Sequence, residues 1–501
     1  MNYYKNKIRT MIIGAGSAAK MLMKEIYNSK NSPYIADKIA AEFDTICIVD
    51  NDPKKLGMVI YGTKVVGGTD DIPRLVKEMD IDQIILAIPS LNETDRKNII
   101  DICNETKLPL KIIPFIGSLI LDSATTILEQ VRDINVDELL GRDPISFDSE
   151  EILSFISGKC CMVTGGGGSI GSELVRQIAK YNPKKIIIVD IYENNAYEIQ
   201  QELEFIYGDK LNLEVLIGSV RDYFRMSQIF ERYRPEIVFH AAAHKHVPLM
   251  EGSPSEAVKN NITGTFHIAS LASYFKAEQF VMISTDKAVN PTNVMGASKR
   301  VCEMIAQFFA QEKGNKTKFI TTRFGNVLGS NGSVIPIFKK QIEKGGPVTV
   351  TDPDIERYFM TIPEAVSLVM EAAAIAENSE IFVLDMGQPV KIITLAENLI
   401  RMYGKRPYVD ISIVFTGLRP GEKIKEELLM KEEGLKHTSN KRIHVGNQIE
   451  IDNSTFCKNL HVLKDIAMQN DDEAVIEKLH EMVPTFVLPS VYNEMERNKS
   501  N

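Results

Sequence analysis

The chain alternates short apolar runs with stretches in which apolar residues recur every three or four positions, and this alternation occurs twice. The first series has apolar runs at 10–13, 45–49 and 84–88, with a helical pattern through Ile26 after the first run. Short apolar runs between amphipathic helices are typical of a parallel β-sheet covered by helices. We therefore predict a Rossmann-like α/β module over residues 1–120.

The second series begins after a linker, predicted over 121–157, whose turn signal is Gly141-Arg142-Asp143-Pro144. A helical pattern over 173–181 follows the first apolar run of this series. The apolar runs of this second series predict parallel strands at 159–163, 185–190, 237–239, 280–283 and 320–323. Right-handed crossovers then give a second doubly wound sheet, with its site at the carboxyl ends of the strands.

The rest of the chain completes the second domain, predicted over 158–501. From about residue 330 the pattern mixes helices, short strands and Pro-Gly turns, which indicates a smaller substrate lobe that closes over the site. Segment 453–484 predicts two amphipathic helices with a packing role.

Composition narrows the class of protein. A length of 501 residues suggests two or three domains, and a net charge of -9 argues against nucleic acid as a main partner. The six cysteines are scattered without metal-ligand spacing, so we expect reduced thiols and no metal site. Residues 1–10 are polar and basic, so we expect that they do not form a signal peptide, and no apolar run reaches transmembrane length. We therefore expect a cytoplasmic location and no membrane span.

A glycine-rich turn at the start of the second module predicts a dinucleotide site. Gly165, Gly168 and Gly171 follow a strand and open a helix, as needed for a tight turn, close approach of a diphosphate and helix packing. Asp190 ends the next strand, where a carboxylate binds ribose hydroxyls and repels a 2′-phosphate. This favours NAD over NADP. Asp222 either meets the adenine edge or caps a turn.

Several longer motifs make a family resemblance specific. Thr164-Gly-Gly-Gly-Gly-Ser-Ile-Gly171 resembles the extended short-chain dehydrogenases. The segments 240–251, 284–288, 323–333 and 357–364 resemble the membrane-type polysaccharide-biosynthesis 4,6-dehydratases, which act on UDP-N-acetylglucosamine in bacillosamine and related pathways. Family members usually carry N-terminal transmembrane helices. This chain has none, so we expect a naturally soluble member or a shortened form.

The resemblance implies roles for the residues that follow the fifth strand of the second module. The superfamily usually has a Tyr-x-x-x-Lys pair, but here Met295 stands at the tyrosine position, four residues before Lys299. Because a thioether cannot take a proton, the resemblance implies that Thr285 binds the sugar 4-hydroxyl and Lys299 helps to deprotonate it. Asp286 is then the acid for the departing C6 hydroxyl, and Lys287 is the base for the C5 proton.

The resemblance also implies the binding residues. The predicted cofactor contacts are Gly165, Gly168, Ser169, Ile170, Gly171, Asp190, Asp222, Ala241, Ala242 and Lys299. The predicted substrate contacts are His244, Lys245, Asn326, Ser330, Arg357 and Arg419, of which Asn326, Ser330 and Arg419 would hold the diphosphate. For His244 and Lys245, lining the pocket and a purely structural loop role both stay open.

The first module also carries a dinucleotide fingerprint. Gly14, Gly16 and Ala19 follow its first strand, and Asp50 ends its second strand. Such a match alone is weak. The module either binds a regulatory nucleotide or serves only for packing.

These observations predict an NAD-dependent UDP-N-acetylglucosamine 4,6-dehydratase that works as a homo-oligomer. The resemblance implies retention of configuration at C5. One alternative is a UDP-sugar 4-epimerase, which shares fold and cofactor but needs no acid–base pair for C5 and C6. Another is a nucleotide-binding sensor that has lost its chemistry.

Overall fold

The computed structural model describes residues 7–31, 43–91, 93–106, 108–113, 132–133, 150–377, 379–428, 434, 436–446 and 451–499. The chain divides into two compact units. Unit 1 comprises 1–143, 338–349 and 393–414, and unit 2 comprises 144–337, 350–392 and 415–501. The predicted boundary at 158 had placed both later segments of unit 1 in the catalytic domain. The predicted turn at 141–144 lies outside the described residues.

Unit 1 contains a seven-stranded sheet. Its strands are β1 (Ile8–Ile13), β2 (Phe43–Val49), β3 (Val59–Ile60), β4 (Thr63–Gly67), β5 (Gln83–Leu86), β6 (Leu110–Ile112) and β7 (Arg132–Asp133). Their order is β3-β4-β2-β1-β5-β6-β7, parallel from β4 to β6. The N-terminal helices are α1 (Ser17–Asn31), α2 (Ile72–Glu78) and α3 (Glu93–Thr106).

Unit 2 contains a nine-stranded sheet. Its strands are β8 (Cys160–Thr164), β9 (Lys185–Asp190), β10 (Leu213–Ile217), β11 (Ile237–His240), β12 (Gln279–Thr285), β13 (Lys318–Phe324), β18 (Ile381–Leu384), β21 (Lys436–His437) and β22 (Ile443–Gly446). Their order is β10-β9-β8-β11-β12-β13-β18-β22-β21, parallel from β10 to β18. The strand order reverses direction at β8 and β11, which is where doubly wound sheets bind ligands.

The remaining elements are helices and short strands. The helices before residue 311 are α4 (Glu150–Ile156), α5 (Ser169–Lys180), α6 (Glu193–Tyr207), α7 (Tyr223–Tyr233), α8 (Val247–Glu251), α9 (Pro254–Ala257), α10 (Gly264–Tyr274) and α11 (Val294–Ala310). The later helices are α12 (Val334–Glu343), α13 (Ile362–Ile375), α14 (Ile392–Met402), α15 (Asn453–Gln469), α16 (Asp472–Met482) and α17 (Pro489–Lys499). The short strands are β14 (Asn326–Val327), β15 (Val348–Val350), β16 (Glu356–Arg357), β17 (Phe359–Met360), β19 (Val390–Lys391) and β20 (Ile413–Phe415).

The α/β prediction is confirmed, with two Rossmann-like sheets. In β8, Cys161 and Val163 join one hydrophobic cluster while Met162 joins another, as the two-residue period of a strand requires. Both faces of the strand are therefore buried, which explains its continuous apolar run. None of the helices in the described chain combines the length and apolar character needed to cross a bilayer.

Candidate functional site

The turn from β8 into α5 excludes side chains at two glycines. Gly165 has a backbone φ of +71°, which glycine adopts without strain. A Cβ atom on Gly165 would lie 2.7 Å from the backbone nitrogen of Ala242, and one on Gly171 would lie 2.0 Å from the carbonyl oxygen of Gly165. Close backbone contacts therefore require glycine at both predicted positions.

The N-terminus of α5 follows this turn and is suited to an anion. Its N-cap residue, Gly168, has no side chain to accept hydrogen bonds from the first-turn N–H groups. The Ser169 hydroxyl oxygen accepts a hydrogen bond from the Asn331 N–H at 3.1 Å, and Ile170 packs against the core. Because N–H groups at a helix N-terminus favour phosphate, the residues present fit a dinucleotide diphosphate.

Asp190 is held beside the same turn by backbone groups. One carboxylate oxygen accepts the Gly167 N–H at 2.8 Å, and the other accepts the Tyr192 N–H at 2.9 Å. These bonds fix the carboxylate at the carboxyl end of β9. This is the position from which an acidic residue contacts a ribose.

Other predicted cofactor residues have structural partners. Asp222 caps α7 by accepting the Arg225 N–H at 3.0 Å, so the capping alternative accounts for the interaction it makes here. The Ala241 N–H donates to the Thr164 carbonyl at 3.0 Å. Contact of Asp222 with an adenine stays a prediction.

The end of β12 brings Thr285, Asp286 and Lys287 together. The carboxylate oxygen Oδ1 of Asp286 accepts the Thr285 hydroxyl at 2.8 Å and the Lys287 ammonium at 3.0 Å. Residues 286–288 form a 3₁₀ turn, so the side chains of Asp286 and Lys287 do not point to opposite faces as neighbours in a regular strand would. The predicted acid and base are therefore hydrogen-bonded to each other.

A second carboxylate reaches Lys287. Glu426 Oε1 lies 3.5 Å from the Lys287 Nζ. Burial alone would lower the pKa of Lys287, but the charges of Asp286 and Glu426 outweigh it and the pKa lies above its usual value. Lys287 is therefore protonated in the free site. Glu426 was not predicted from the sequence as a site residue. The only feature that could have indicated it is its position four residues after Glu422, just beyond the Arg-Pro-Gly-Glu motif.

Two carboxylate oxygens at this centre are unsatisfied. Asp286 Oδ2 and Glu426 Oε2 are buried and have no hydrogen-bond partner among the residues that the structure describes. A Cβ atom on Gly325 would lie 3.1 Å from Asp286 Oδ2, so a larger residue at 325 would crowd this oxygen. Buried polar atoms normally have partners, and exceptions call for an explanation. A substrate hydroxyl is one such partner.

Helix α11 carries both Met295 and Lys299, which lie about one turn apart on one face. Met295 is 3% exposed and Lys299 is 5% exposed. Burial and the charge of Lys299 lower the pKa of His240 to about 3. His240, whose ring nitrogens bond Thr164 and Thr265 at 2.8 and 3.0 Å, therefore stays neutral beside the lysine.

A buried ionic network contacts Ser284 near the end of β12. Glu303, on α11, accepts the Ser284 hydroxyl at 2.6 Å and pairs with Arg323 at 2.8 Å and Arg300 at 3.0 Å. Burial would raise the pKa of Glu303, but the two guanidinium groups hold it at about 2. The network fixes Ser284, the residue next to Thr285. No specific sequence signal predicts this network, apart from charged residues inside an apolar helix.

The predicted substrate residues fall into two groups. Asn326 Oδ1 lies 3.2 Å from the Lys287 Nζ, and Arg357 lies 3.5 Å from Glu422 and 3.9 Å from Glu426. Arg357 also donates to the carbonyl oxygens of Glu356 and Ile424. These two residues therefore belong to the charged centre around Lys287.

The second group lies outside that hydrogen-bonded centre. Ser330 is buried and donates to the Val327 carbonyl at 3.3 Å. His244 Nε2 lies 3.1 Å from Arg221, and burial lowers the pKa of His244. Lys245 and Arg419 are exposed. Within the described chain, no cluster of three His, Cys, Asp or Glu side chains could hold a metal ion.

Comparisons with known proteins bear on the whole of unit 2. The family model described as "Polysaccharide biosynthesis protein" matches residues 161–448. The probable polysaccharide biosynthesis protein EpsC of Bacillus subtilis is 45% identical over 96% of this chain and 78% of its own length. A UDP-glucose 4-epimerase of Rickettsia canadensis is 37% identical over 55% of this chain and 79% of its own length.

A solved structure agrees with the fold. The X-ray structure of Pen from Bacillus thuringiensis is 34% identical and covers 59% of this chain and 89% of its own, with a TM-score of 0.54.

Proposed function

The chain belongs to the polysaccharide biosynthesis protein family, and we propose that it is an NAD-dependent 4,6-dehydratase of UDP-N-acetylglucosamine. The product is UDP-2-acetamido-2,6-dideoxy-4-keto-hexose. NAD, when bound, takes hydride from C4 and returns it to C6. The observation that carries the proposal is the Asp286–Lys287 hydrogen bond, with the second oxygen of Asp286 buried and free of partners in the described chain.

The Asp286–Lys287 pair holds the proton that the elimination needs. In the free site Lys287 is an ammonium and Asp286 a carboxylate. Transfer of one proton along their 3.0 Å hydrogen bond gives a neutral amine and a carboxylic acid without any exchange with solvent. In this proposal the sugar shifts the pair toward the neutral form by covering the part of the Lys287 side chain that is still exposed, 17% in the free site, which removes the water that stabilises the ammonium.

Elimination then restores the ion pair. The Lys287 amine takes the C5 proton, the C6–O bond breaks, and the Asp286 carboxylic acid protonates the departing hydroxide to give water. This leaves an ammonium and a carboxylate. Lys287 returns its proton to C5 when C6 is reduced. The proton released from the 4-hydroxyl in the first step passes to solvent, and one proton from solvent restores the ammonium and carboxylate of the pair when the product leaves.

Thr285 and Lys299 serve the first step in this proposal. Thr285 already donates to Asp286, so its hydroxyl is held beside the reacting groups and can turn to the sugar O4. Lys299 is buried and acts on His240 through its charge. A buried ammonium lowers the barrier to removing a proton from a nearby hydroxyl.

The fit of the glycine turn supports NAD as the cofactor. Gly165, Gly168, Ser169 and Gly171 would hold the diphosphate, and Asp190 would accept hydrogen bonds from the ribose hydroxyls. A carboxylate fixed by two backbone N–H groups cannot move away from a 2′-phosphate, so NADP is disfavoured. The cofactor released by denaturing the purified protein should therefore have the mass of NAD, whereas NADP would refute this role of Asp190.

The substrate contacts follow from the charged centre. Asn326 and Arg357 position Lys287 and Glu426 around the sugar. Arg419, which is exposed, and Ser330 remain the proposed diphosphate contacts, with His244 and Lys245 at the edge of the pocket. A guanidinium suits a diphosphate because it can donate two parallel hydrogen bonds.

The second candidate function is a UDP-sugar 4-epimerase, which the resemblance to the Rickettsia epimerase favours. An epimerase leaves C5 and C6 untouched, so it has no use for the Asp286–Lys287 pair. Incubation with a panel of UDP-sugars and mass spectrometry separates the two. Loss of one water from UDP-N-acetylglucosamine supports the dehydratase, and interconversion at constant mass supports the epimerase. Bound NAD with no turnover of any UDP-sugar would support the sensor alternative.

A further inference from the structure

The turn after β1 in unit 1 shares two features with the glycine turn of unit 2: a first glycine with positive φ, and a hydrogen bond from its N–H to the neighbouring strand. Gly14 has a φ of +102°, and its N–H donates to the Val49 carbonyl at 2.8 Å, just as the Gly165 N–H donates to Val189 at 2.8 Å. A Cβ atom on Gly14 would lie 3.1 Å from the Ala87 carbonyl oxygen. The turn therefore keeps the tight backbone that lets a diphosphate approach.

Asp50 repeats the carboxylate of Asp190. Its Oδ2 accepts the Ala15 N–H at 2.7 Å, and its Oδ1 accepts the Asp52 N–H at 2.9 Å. In both units, one oxygen bonds the glycine turn and the other bonds the residue two positions later. The carboxylate thus stands at the carboxyl end of β2 in the orientation of a ribose acceptor.

A cavity of about 670 Å³ opens beside these groups. It is lined by the first turn of α1 at Gly16, Ser17 and Ala18, by Asp50, and by Thr69 after β4. Its size lies within the range of pockets that hold small molecules. The cavity lies at the carboxyl ends of the parallel strands, where such sheets bind ligands.

One charged residue distinguishes the surroundings of Asp50 in unit 1 from those of Asp190 in unit 2. The Lys55 ammonium lies 3.0 Å from Asp50 Oδ2, and its side chain is 32% exposed. Lys55 neutralises Asp50 and can also turn toward an anionic group in the cavity. Asp70 and Asp95 line the cavity as well, so its lining is acidic away from α1. A ligand with one diphosphate, placed at the N-terminus of α1, matches this distribution better than one with many phosphates.

We infer that unit 1 is a second nucleotide site, which binds a nucleoside diphosphate compound with its ribose on Asp50 and its diphosphate on the N-terminus of α1. This site is independent of the catalytic centre proposed for unit 2. Three sources share the chemistry: an adenine nucleotide, a uridine nucleotide such as the substrate, and NAD.

The test titrates ADP, UDP and NAD into the full-length protein with its resident cofactor, by calorimetry. The key variant is Gly16→Asp. A Cβ atom on Gly16 meets no other atom within 4 Å, so the fold should accept a side chain there. Gly16→Asn is the matched control, because it fills the same space without the charge.

We expect at least one of the three probes to show binding that depends on Gly16, and the tightest of these identifies the source. Gly16→Asp should weaken that binding by about tenfold or more, because a carboxylate placed against a diphosphate is strongly repelled, and Gly16→Asn should weaken it clearly less. If Gly16→Asp weakened the binding of none of the three probes, every bound nucleotide would lie elsewhere and the inference would be overturned. Failure of all three probes to bind would also overturn it. The catalytic proposal is tested separately by assaying dehydration of UDP-N-acetylglucosamine with Gly16→Asp. If this variant dehydrates the sugar but no probe binding depends on Gly16, the inference about unit 1 fails while the catalytic proposal stands.

Discussion

At the scale of single residues, the chemistry depends on which groups share a proton. The family resemblance predicts Asp286 as an acid and Lys287 as a base, and these two roles stay predictions. Their mutual hydrogen bond and the contact with Glu426 were not predictable. Glu426 lies 139 positions away in the sequence, as the numbers 426 and 287 show, and only the fold brings it to Lys287.

Lys287→Ala should stop the elimination and leave oxidation at C4 possible. We expect dehydration to fall by about 10²–10⁴-fold, the range for loss of a general base. On addition of UDP-N-acetylglucosamine, the absorbance of the reduced nicotinamide should accumulate, since the 4-keto sugar cannot proceed. Lys425→Ala, at an exposed lysine of the same region, is the control and should behave like the wild type. Dehydration by Lys287→Ala at the normal rate would remove Lys287 from the mechanism.

Glu303 makes a pH-dependent contribution to stability. Its pKa is lowered from 4.5 to about 2 in the folded protein, so its stabilisation is fully present above pH 4.5 and is lost as the pH falls toward 2. Glu303→Gln should lower the free energy of unfolding near pH 7 by about 3 kcal/mol, because it leaves two buried guanidinium groups underpaired. Denaturant unfolding at several pH values measures this.

The difference between wild type and Glu303→Gln should shrink as the medium is acidified below pH 4.5. Glu312→Gln, at an exposed glutamate shortly after the same helix, should show no such loss. A difference that stays constant down to the lowest pH at which the protein folds would contradict the ionic role of Glu303.

At the scale of elements, the strands of both sheets were the most predictable features. Buried parallel strands read as continuous apolar runs, as at 185–190, where the predicted and observed bounds agree. The two helices predicted within 453–484 are also confirmed. Helix starts were less predictable. Helix α5 begins at Ser169, whereas the predicted start was Glu173, because the glycines near its N-terminus do not contribute to the spacing of apolar residues that indicates a helix.

Helix α11 provides a test of the missing tyrosine. Met295 and Lys299 occupy the same face one turn apart. Met295→Leu nearly preserves volume and should cost under about 1.5 kcal/mol of stability and little activity. Lys299→Ala should lower turnover by about a hundredfold or more. Steady-state turnover of both variants gives the comparison. If Met295→Leu is as damaging as Lys299→Ala, the methionine acts directly and Thr285 with Lys299 does not replace the tyrosine.

At the scale of the whole molecule, the chain carries a glycine turn beside a strand-end aspartate twice, with different charges around the aspartate. Asp190 in unit 2 is held by backbone groups, whereas Asp50 in unit 1 also pairs with Lys55. The sequence showed both fingerprints but not this difference, since Lys55 follows Asp50 in a loop whose path no local pattern fixes. The assignment of 338–349 and 393–414 to unit 1 was equally hidden, because it depends on contacts distant in sequence. The predicted homo-oligomer stays a prediction.

The most direct test of the central claim is the reaction of UDP-N-acetylglucosamine in heavy water, followed by mass spectrometry and NMR. The dehydratase should release one water and give a product with deuterium at C5, because the Lys287 nitrogen carries deuterium from the solvent before the sugar binds and returns one of its hydrogens to C5. A product of unchanged mass apart from exchangeable positions, with hydrogen retained at C5 and inversion only at C4, would contradict the account and identify an epimerase.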